Sequence, residues 1–232
     1  MEKVNIKGID LFPFVSQNQV ADYVDEHSGI LIAINAEKIL NASEQAKELI
    51  NSNIGYCDGS GPLMILHRKG YKKAIKIAGC DLWLSLVERF HNNKTFYLVG
   101  ATQPVIEATI AKLRRDYPGI NILGYRNGYI STQQEKDALI NEIKEKKPNI
   151  VFVAMGSPKQ ELLMEELQKH HKAIYQGLGG SFDVYTGSVM RAPKWWVDNH
   201  LEWMYRLIKQ PCRITRQFKL VKFAYWIASG KY

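Results

Sequence analysis

The stretch Val151-Phe152-Val153-Ala154-Met155-Gly156-Ser157-Pro158-Lys159-Gln160-Glu161 passes from an unbroken apolar run through Gly-Ser-Pro into a polar helix start. A short apolar run that stops at such a turn reads as a buried strand feeding a helix, the recurring junction of an α/β sheet. Ser157 can serve as N-cap, and Pro158 suits the first helical position, where its missing N–H is not needed. First-turn amides then face outward as an anion site built on Gly156 and Ser157. Gln160, neutral and able to donate and accept, suits a sugar or diphosphate, whereas Lys159 can be merely solvated. A second glycine-rich junction, Gly177-Leu178-Gly179-Gly180-Ser181-Phe182-Asp183, follows the apolar run from Ala173 to Tyr175. Two such loops converging on one crevice suit a nucleotide with a diphosphate. The second does not spell Gly-x-Gly-x-x-Gly, so a dinucleotide fingerprint is not supported, and Asp183 can either bond a ribose or cap a turn.

Working outward, further apolar runs lie at Gly29 to Ile34, Thr95 to Val99 and Ile120 to Leu123, with a shorter one at Asn53 to Cys57. None alternates strictly, as expected of strands covered on both faces. Between them, Pro104 to Tyr117 and Thr132 to Lys147 place apolar residues three and four apart among Lys and Glu, a helical spacing. The order β-α-β-α predicts an α/β fold of Rossmann-like type: a mainly parallel sheet with helices on both faces and strand C-terminal ends open to a ligand. Val4 to Phe14 alternates loosely and ends near Pro13, which suits an edge strand or hairpin. From Trp195 the strand signal vanishes. We therefore expect an α/β catalytic domain over 1–194 and a C-terminal helical appendage over 195–232.

The chain has 232 residues, 46% hydrophobic and 23% charged, enough for a sizeable core. Cys57, Cys80 and Cys212 are isolated and form no CxxC, which points to a reducing, cytoplasmic setting and away from a structural metal. No stretch reaches the length of a membrane span and the N-terminus has no signal-peptide pattern, so a soluble or peripheral protein is expected. The net charge is +8, yet residues 201–232 alone carry seven Lys or Arg against Glu202. Basicity is thus assigned to the tail.

Several polar residues sit where chemistry is done. Asp58, in Tyr56-Cys57-Asp58-Gly59-Ser60-Gly61-Pro62, follows a strand and precedes an apolar helix. A base that takes a proton from a sugar hydroxyl must be a carboxylate or imidazole within hydrogen-bond reach, and Asp58 meets the positional requirement. Equally, it can accept from the amides of the glycine turn. Asn35, Glu37 and Lys38 end another strand and open a helix. Asn35 can hold a sugar hydroxyl, or it can cap the helix while Glu37 favours its positive end. With no DxD and no HExxH, no metal site and no cofactor are expected, and charge on a departing diphosphate must be met by helix N-termini or cationic side chains.

The tail supplies such cations. Arg206, Arg213 and Arg216 are spaced by seven and three, which sets them on one helical side provided the turn at Pro211 does not rotate it. Phe218, Leu220, Val221, Phe223, Tyr225, Trp226 and Ile227 interleave with Lys219 and Lys222, as in a basic interfacial helix lying on anionic lipid. The alternatives are an amphipathic helix docked on the body or on a second subunit. So aromatic and aliphatic a helix favours membrane over nucleic acid.

Together these segments resemble the WecG/TagA/CpsF glycosyltransferases, glycosyltransferase family 26. The resemblance is carried by Ile34-Asn35-Ala36-Glu37-Lys38, Asp58-Gly59, Ala78-Gly79-Cys80-Asp81-Leu82-Trp83, Phe96-Tyr97-Leu98-Val99-Gly100, Gly128-Tyr129, Ala154 to Glu161, Gly179-Gly180-Ser181-Phe182-Asp183, Arg191-Ala192-Pro193-Lys194-Trp195 and Leu201 to Leu207. It implies an inverting, metal-independent hexosyltransferase acting at the inner face of the cytoplasmic membrane, which residues 213–228 would contact, with no nucleic acid as partner and a homo-oligomer left open. The wording around Asn35 and Gly156 is most similar to members that move N-acetyl-D-mannosaminuronic acid from UDP to undecaprenyl-diphosphate-linked N-acetylglucosamine, in enterobacterial common antigen-type polysaccharide synthesis. Use of UDP-N-acetylmannosamine or another capsular sugar is the alternative, and a non-catalytic UDP-sugar-binding membrane-surface protein is the alternative of a different class. The resemblance makes Asp58 the general base and gives Arg206, Arg213 and Arg216 the leaving group. Asn35, Glu37, Lys38, Gly156, Ser157, Gln160, Gly179, Gly180 and Asp183 become the substrate-binding set. Two departures stand out: Ala33 replaces a Thr of related members, and Gly59-Ser60-Gly61 replaces the usual Gly-Ile after Asp58.

Overall fold

A computed structural model describes residues 1–190 and, beyond them, Ala192, Pro193, Trp195, Trp196, Met204, Tyr205 and Phe223. The chain opens with a hairpin, β1 (Val4–Ile6) and β2 (Ile9–Leu11), and continues through α1 (Gln17–Glu26), β3 (Gly29–Ile34), α2 (Ala36–Asn41), α3 (Glu44–Asn51), β4 (Ile54–Cys57), α4 (Ser60–Arg68) and α5 (Gly79–Phe90). Then β5 (Thr95–Gly100), α6 (Gln103–Asp116), β6 (Asn121–Arg126), α7 (Gln133–Lys146), β7 (Ile150–Ala154), α8 (Lys159–His170), β8 (Ile174–Gly177) and α9 (Ser181–Thr186) follow. The result is an α/β fold whose six-stranded parallel sheet, ordered β4-β3-β8-β7-β5-β6, is flanked by helices. Two compact units divide the chain, one of 1–15, 34–77 and 190–232 and one of 16–33 and 78–189. Among the described residues no helix is long and apolar enough to cross a membrane.

In the second unit, every residue of β7 is buried, so the unbroken apolar run is the sheet centre. Its register sets Gly100 of β5 opposite Ala154 and Gly177 of β8 opposite Val153, which brings three strand C-terminal ends level. Trp83 of α5 meets Phe152 of β7 and Phe182 of α9 edge-on, both at 5.6 Å, an arrangement aromatic quadrupoles favour. The expected α7 is held by a capping box in which Thr132 and Glu135 satisfy each other's backbone. One expectation needs correction: the 120–123 run is not covered on both faces. β6 stands at the sheet end, pairs among the described residues only with β5 and leaves its residues half-buried or exposed.

In the first unit the N-terminal segment is the hairpin alternative, turned by Lys7 at φ +54° and Gly8 at φ +81°. Phe12 continues from it, and its N–H donates to the Gly55 carbonyl at 2.8 Å. A side chain on Gly55 would lie 2.7 Å from the Asp10 carbonyl oxygen, so only glycine lets the two segments approach this closely. Further along, the Ile75 N–H donates to Phe14 and the Ile77 N–H to Cys57, which ties 75–77 to both.

Candidate functional site

The first unit positions Asp58 and Asn35. Asp58 leaves β4 half-buried, and its N–H donates to the Ile34 carbonyl at 2.9 Å, so the ends of β3 and β4 deliver the two residues as neighbours. Gly59 turns the chain at φ +135°, a conformation closed to other residues, and opens α4. Asn35 takes the cap role: its Oδ1 accepts from the Lys38 N–H at 2.9 Å, with Glu37 in the first turn of α2. Beside them Cys57 reports the local field. Burial first, then the negative charge of Asp58, pushes its thiol up to about 12, and the Lys76 ammonium partly offsets this. Lys76 is thus a cation within electrostatic reach of the same thiol that Asp58 acts on. It lies nineteen positions from Cys57 in sequence, and the Ile77-to-Cys57 backbone bond brings the two together, so no local spacing pointed to it.

The second unit holds the two glycine-rich loops. Gly156 at φ +78° and Gly179 at φ +57° are left-handed, and a side chain at either would enter open space. The loops are joined by Gln160. Rather than facing outward, it is buried, and its Oε1 accepts from the Gly156 N–H at 3.2 Å and the Gly179 N–H at 2.9 Å. Those two amides are therefore already engaged, and Gln160 acts as the brace between loops. Its side chain lies against Gly177, where an added methyl would stand 2.9 Å from Cδ and nearer still to Nε2. Ser157 is exposed, but the helix start is displaced from the expected one: α8 begins at Lys159 with Pro158 as its N-cap residue, after a cis Ser157–Pro158 bond. Gly180 precedes the short α9, and Asp183 lies half-buried in its first turn, its carbonyl accepting from Val189 and Thr186.

A neighbouring set of turns went unread in the sequence. β5 ends at Gly100, φ +141°, where a side chain would lie 2.6 Å from the Ala154 carbonyl carbon, and Ala101 follows at φ +54°. The Ala101 N–H donates to Ala154, and Gly128 donates to Ala101, so the ends of β5, β6 and β7 are laced together. The chain leaves β5 towards β6 but leaves β7 towards β8 on the opposite side, making the space above their C-terminal ends a topological switch point. The signal was the paired Gly100 and Gly128, each a close-approach glycine.

Arg206, Arg213, Arg216, Arg191 and Lys194 lie outside the described residues, as does 213–228 apart from Phe223. Phe223, read above as one of the lipid-facing residues, is 3% exposed. Its ring fills the place of a side chain on Gly61, where a methyl would stand 3.1 Å from Cδ1 and Cζ and closer to Cε1. At this one residue the docked alternative holds, and Gly61, one of the departures after Asp58, is what admits the ring. A match to the glycosyl transferase WecG/TagA/CpsF family model extends over residues 4–232, and with it the chain, a glycosyltransferase by family, belongs to the WecG/TagA/CpsF group.

Proposed function

We propose that this glycosyltransferase moves N-acetyl-D-mannosaminuronic acid from UDP to N-acetylglucosamine on undecaprenyl diphosphate, with inversion and with Asp58 as general base. The observation that carries the reading is a half-buried carboxylate at a strand end whose negative charge acts on the adjacent thiol, beside Asn35, in a chain of this family. An acceptor hydroxyl oxygen bonds to the anomeric carbon as the bond from that carbon to UDP breaks on the opposite face. Its proton passes to Asp58, and the departing diphosphate takes the negative charge. Donors for that charge are the loop amides of Ser157 and Gly180, next to Gly156 and Gly179 whose own N–H groups Gln160 engages, with Arg206, Arg213 and Arg216 of the tail. Asn35 keeps an amide donor for a sugar hydroxyl after its oxygen caps α2. Asp183 and Glu37 offer carboxylates to ribose or sugar hydroxyls, and Lys38 is our first choice for the uronate carboxylate. The lipid acceptor places the enzyme at the inner face of the cytoplasmic membrane, with 213–228 as one contact and enterobacterial common antigen-type polysaccharide as the product class.

The test is a panel of UDP-sugars with a lipid-diphosphate N-acetylglucosamine acceptor and chelator present. Transfer from the uronate donor is expected, and Asp58→Asn should lower turnover by roughly 10²- to 10⁴-fold with donor affinity little changed. Transfer only from UDP-N-acetylmannosamine would move the donor assignment. Retained turnover in Asp58→Asn would remove the base, and nucleotide-sugar binding without transfer from any donor would favour the non-catalytic binder.

A further inference from the structure

The segment Arg68-Lys69-Gly70-Tyr71-Lys72-Lys73-Ala74-Ile75-Lys76 carries five cations and no acid, a density hidden when charge is summed over the body of the chain. Arg68, Lys69, Lys72 and Lys73 are exposed, and among the described residues Lys69, Lys72 and Lys73 make no ion pair. Between the cations, apolar side chains face water: Tyr71 is 36% exposed, Ile75 37%, and Met64, one turn before Arg68 on the same face of α4, 47%.

This loop is held in shape. The Tyr71 N–H donates to Leu66 at 3.0 Å, the Ala74 N–H to Tyr71 at 3.0 Å and the Ile75 N–H to Phe14 at 3.0 Å. His67 Nε2 and the Ala74 carbonyl pair at 2.9 Å, and Ala74 itself is buried. The backbone is thus fixed from within while the aromatic, aliphatic and basic side chains are left outside. Cations alone would suit any polyanion. Cations that alternate with a tyrosine and aliphatic residues suit a surface with an anionic plane over an apolar interior, where rings and aliphatic chains enter and lysines reach back to the headgroups.

We propose that loop 68–75, with Met64, is a docking surface for an anionic lipid bilayer, separate from the C-terminal segment. α4 then joins two functions: Asp58 precedes its N-terminus and the lipid surface lies at its C-terminus, roughly 13 Å away along nine residues of helix. The contact stands without the transferase reading, which supplies only its purpose, to hold the base near the headgroup plane where a lipid diphosphate presents its sugar.

The experiment measures binding of the full chain to phosphatidylcholine vesicles with and without phosphatidylglycerol. Each cation at such a surface contributes roughly fivefold to partitioning, so Lys72→Ala/Lys73→Ala should weaken binding to the anionic vesicles about 25-fold. Tyr71→Ser/Ile75→Ser should weaken it with the charge unchanged, and amide exchange over 69–75 should slow when anionic vesicles are added to the unaltered chain. Undiminished binding by both double variants together with unchanged exchange at 69–75 overturns the proposal, as does duplex or single-stranded nucleic acid displacing the vesicles from this loop. With a short-chain, water-soluble acceptor both variants should turn over normally. An absence of transfer in every variant and in the unaltered chain counts against the transferase reading and leaves the vesicle result intact.

Discussion

Position 38 is where donor identity becomes testable one side chain at a time. Lys38 lies in the first turn of α2, its own N–H held by Asn35, so its Cα is fixed just past the end of β3, whose Ile34 carbonyl accepts from the Asp58 N–H. A lysine is a mobile point charge, and its attraction to a carboxylate at a partly desolvated site exceeds what it gains from neutral hydroxyls. Lys38→Ala should therefore lower kcat/KM for the uronate donor by roughly tenfold or more, the loss of one charge-assisted hydrogen bond, and that for UDP-N-acetylmannosamine by a few-fold at most. Parallel kinetics on the two donors decide it, and equal losses would take the uronate contact away from Lys38. Asp58 and Asn35 were legible because both follow strands in the sequence. Lys76 was not, since a lysine among lysines carries no local mark and its nearness to Cys57 is created by a backbone bond between residues twenty apart, Ile77 and Cys57.

The elements themselves were legible wherever burial is complete. β7 and β3 read as apolar runs because both their faces are covered, and α7 read from its helical spacing, its buried Leu139, Ile140 and Ile143 forming the apolar stripe. Where the environment is one-sided the pattern weakens, which is why β6 was taken for a covered strand. The Gln160 brace was hidden for another reason: a side chain that accepts two backbone N–H groups from different loops leaves no periodicity. Gln160→Leu would strand both donors, each costing about 1–3 kcal/mol. It should thus lower stability by a few kcal/mol and raise the donor KM. Gly177→Ala displaces the same amide and should do likewise, and the double variant should cost less than the sum of the two if the brace is one unit. Denaturant titration beside donor kinetics reads both effects, and additive losses would argue against a shared brace. At the start of α4, Gly61→Ala sets a methyl in the space of the Phe223 ring. We expect it to free the C-terminal segment to limited proteolysis, and Gly61→Ala/Phe223→Ala to restore part of the protection by exchanging ring for methyl. Equal cleavage of all three proteins would detach Phe223 from Gly61.

At the scale of the whole molecule, pH sensitivity follows from groups buried for packing. Burial and the charge of Asp58 push the Cys57 thiol up to about 12, and burial also raises Tyr97, Tyr175 and Tyr185, Tyr97 with help from the Glu142 hydrogen bond and Tyr185 from Asp116. The sign follows from proton counting. Above the ordinary thiol value, near 8.5, the unfolded chain releases a proton that the folded chain keeps, so the folded state loses ground as pH rises. On the acid side Asp116 is held at about 2, first by the Lys112 hydrogen bond and then by that of Tyr185, and the Ser131 and Thr132 amides hold Glu135 below its usual range. Their contribution is present above the ordinary carboxylate range and is lost as pH falls through the folded values. Stability should therefore be flat from about pH 5 to 8 and decline on both sides. Cys57 sets the onset of the alkaline limb: at pH 10 its unfolded thiol is largely ionised, which removes about 2 kcal/mol of the neutral-pH stability. Replacing the thiol by the smaller Cys57→Ala costs some packing at every pH yet removes this titration, so its curve should lie lower but stay level until the tyrosines begin to ionise above about pH 10. Urea midpoints measured across pH 7 to 11 for both proteins separate the two effects, and parallel curves would show that the buried thiol is not what limits the fold at high pH.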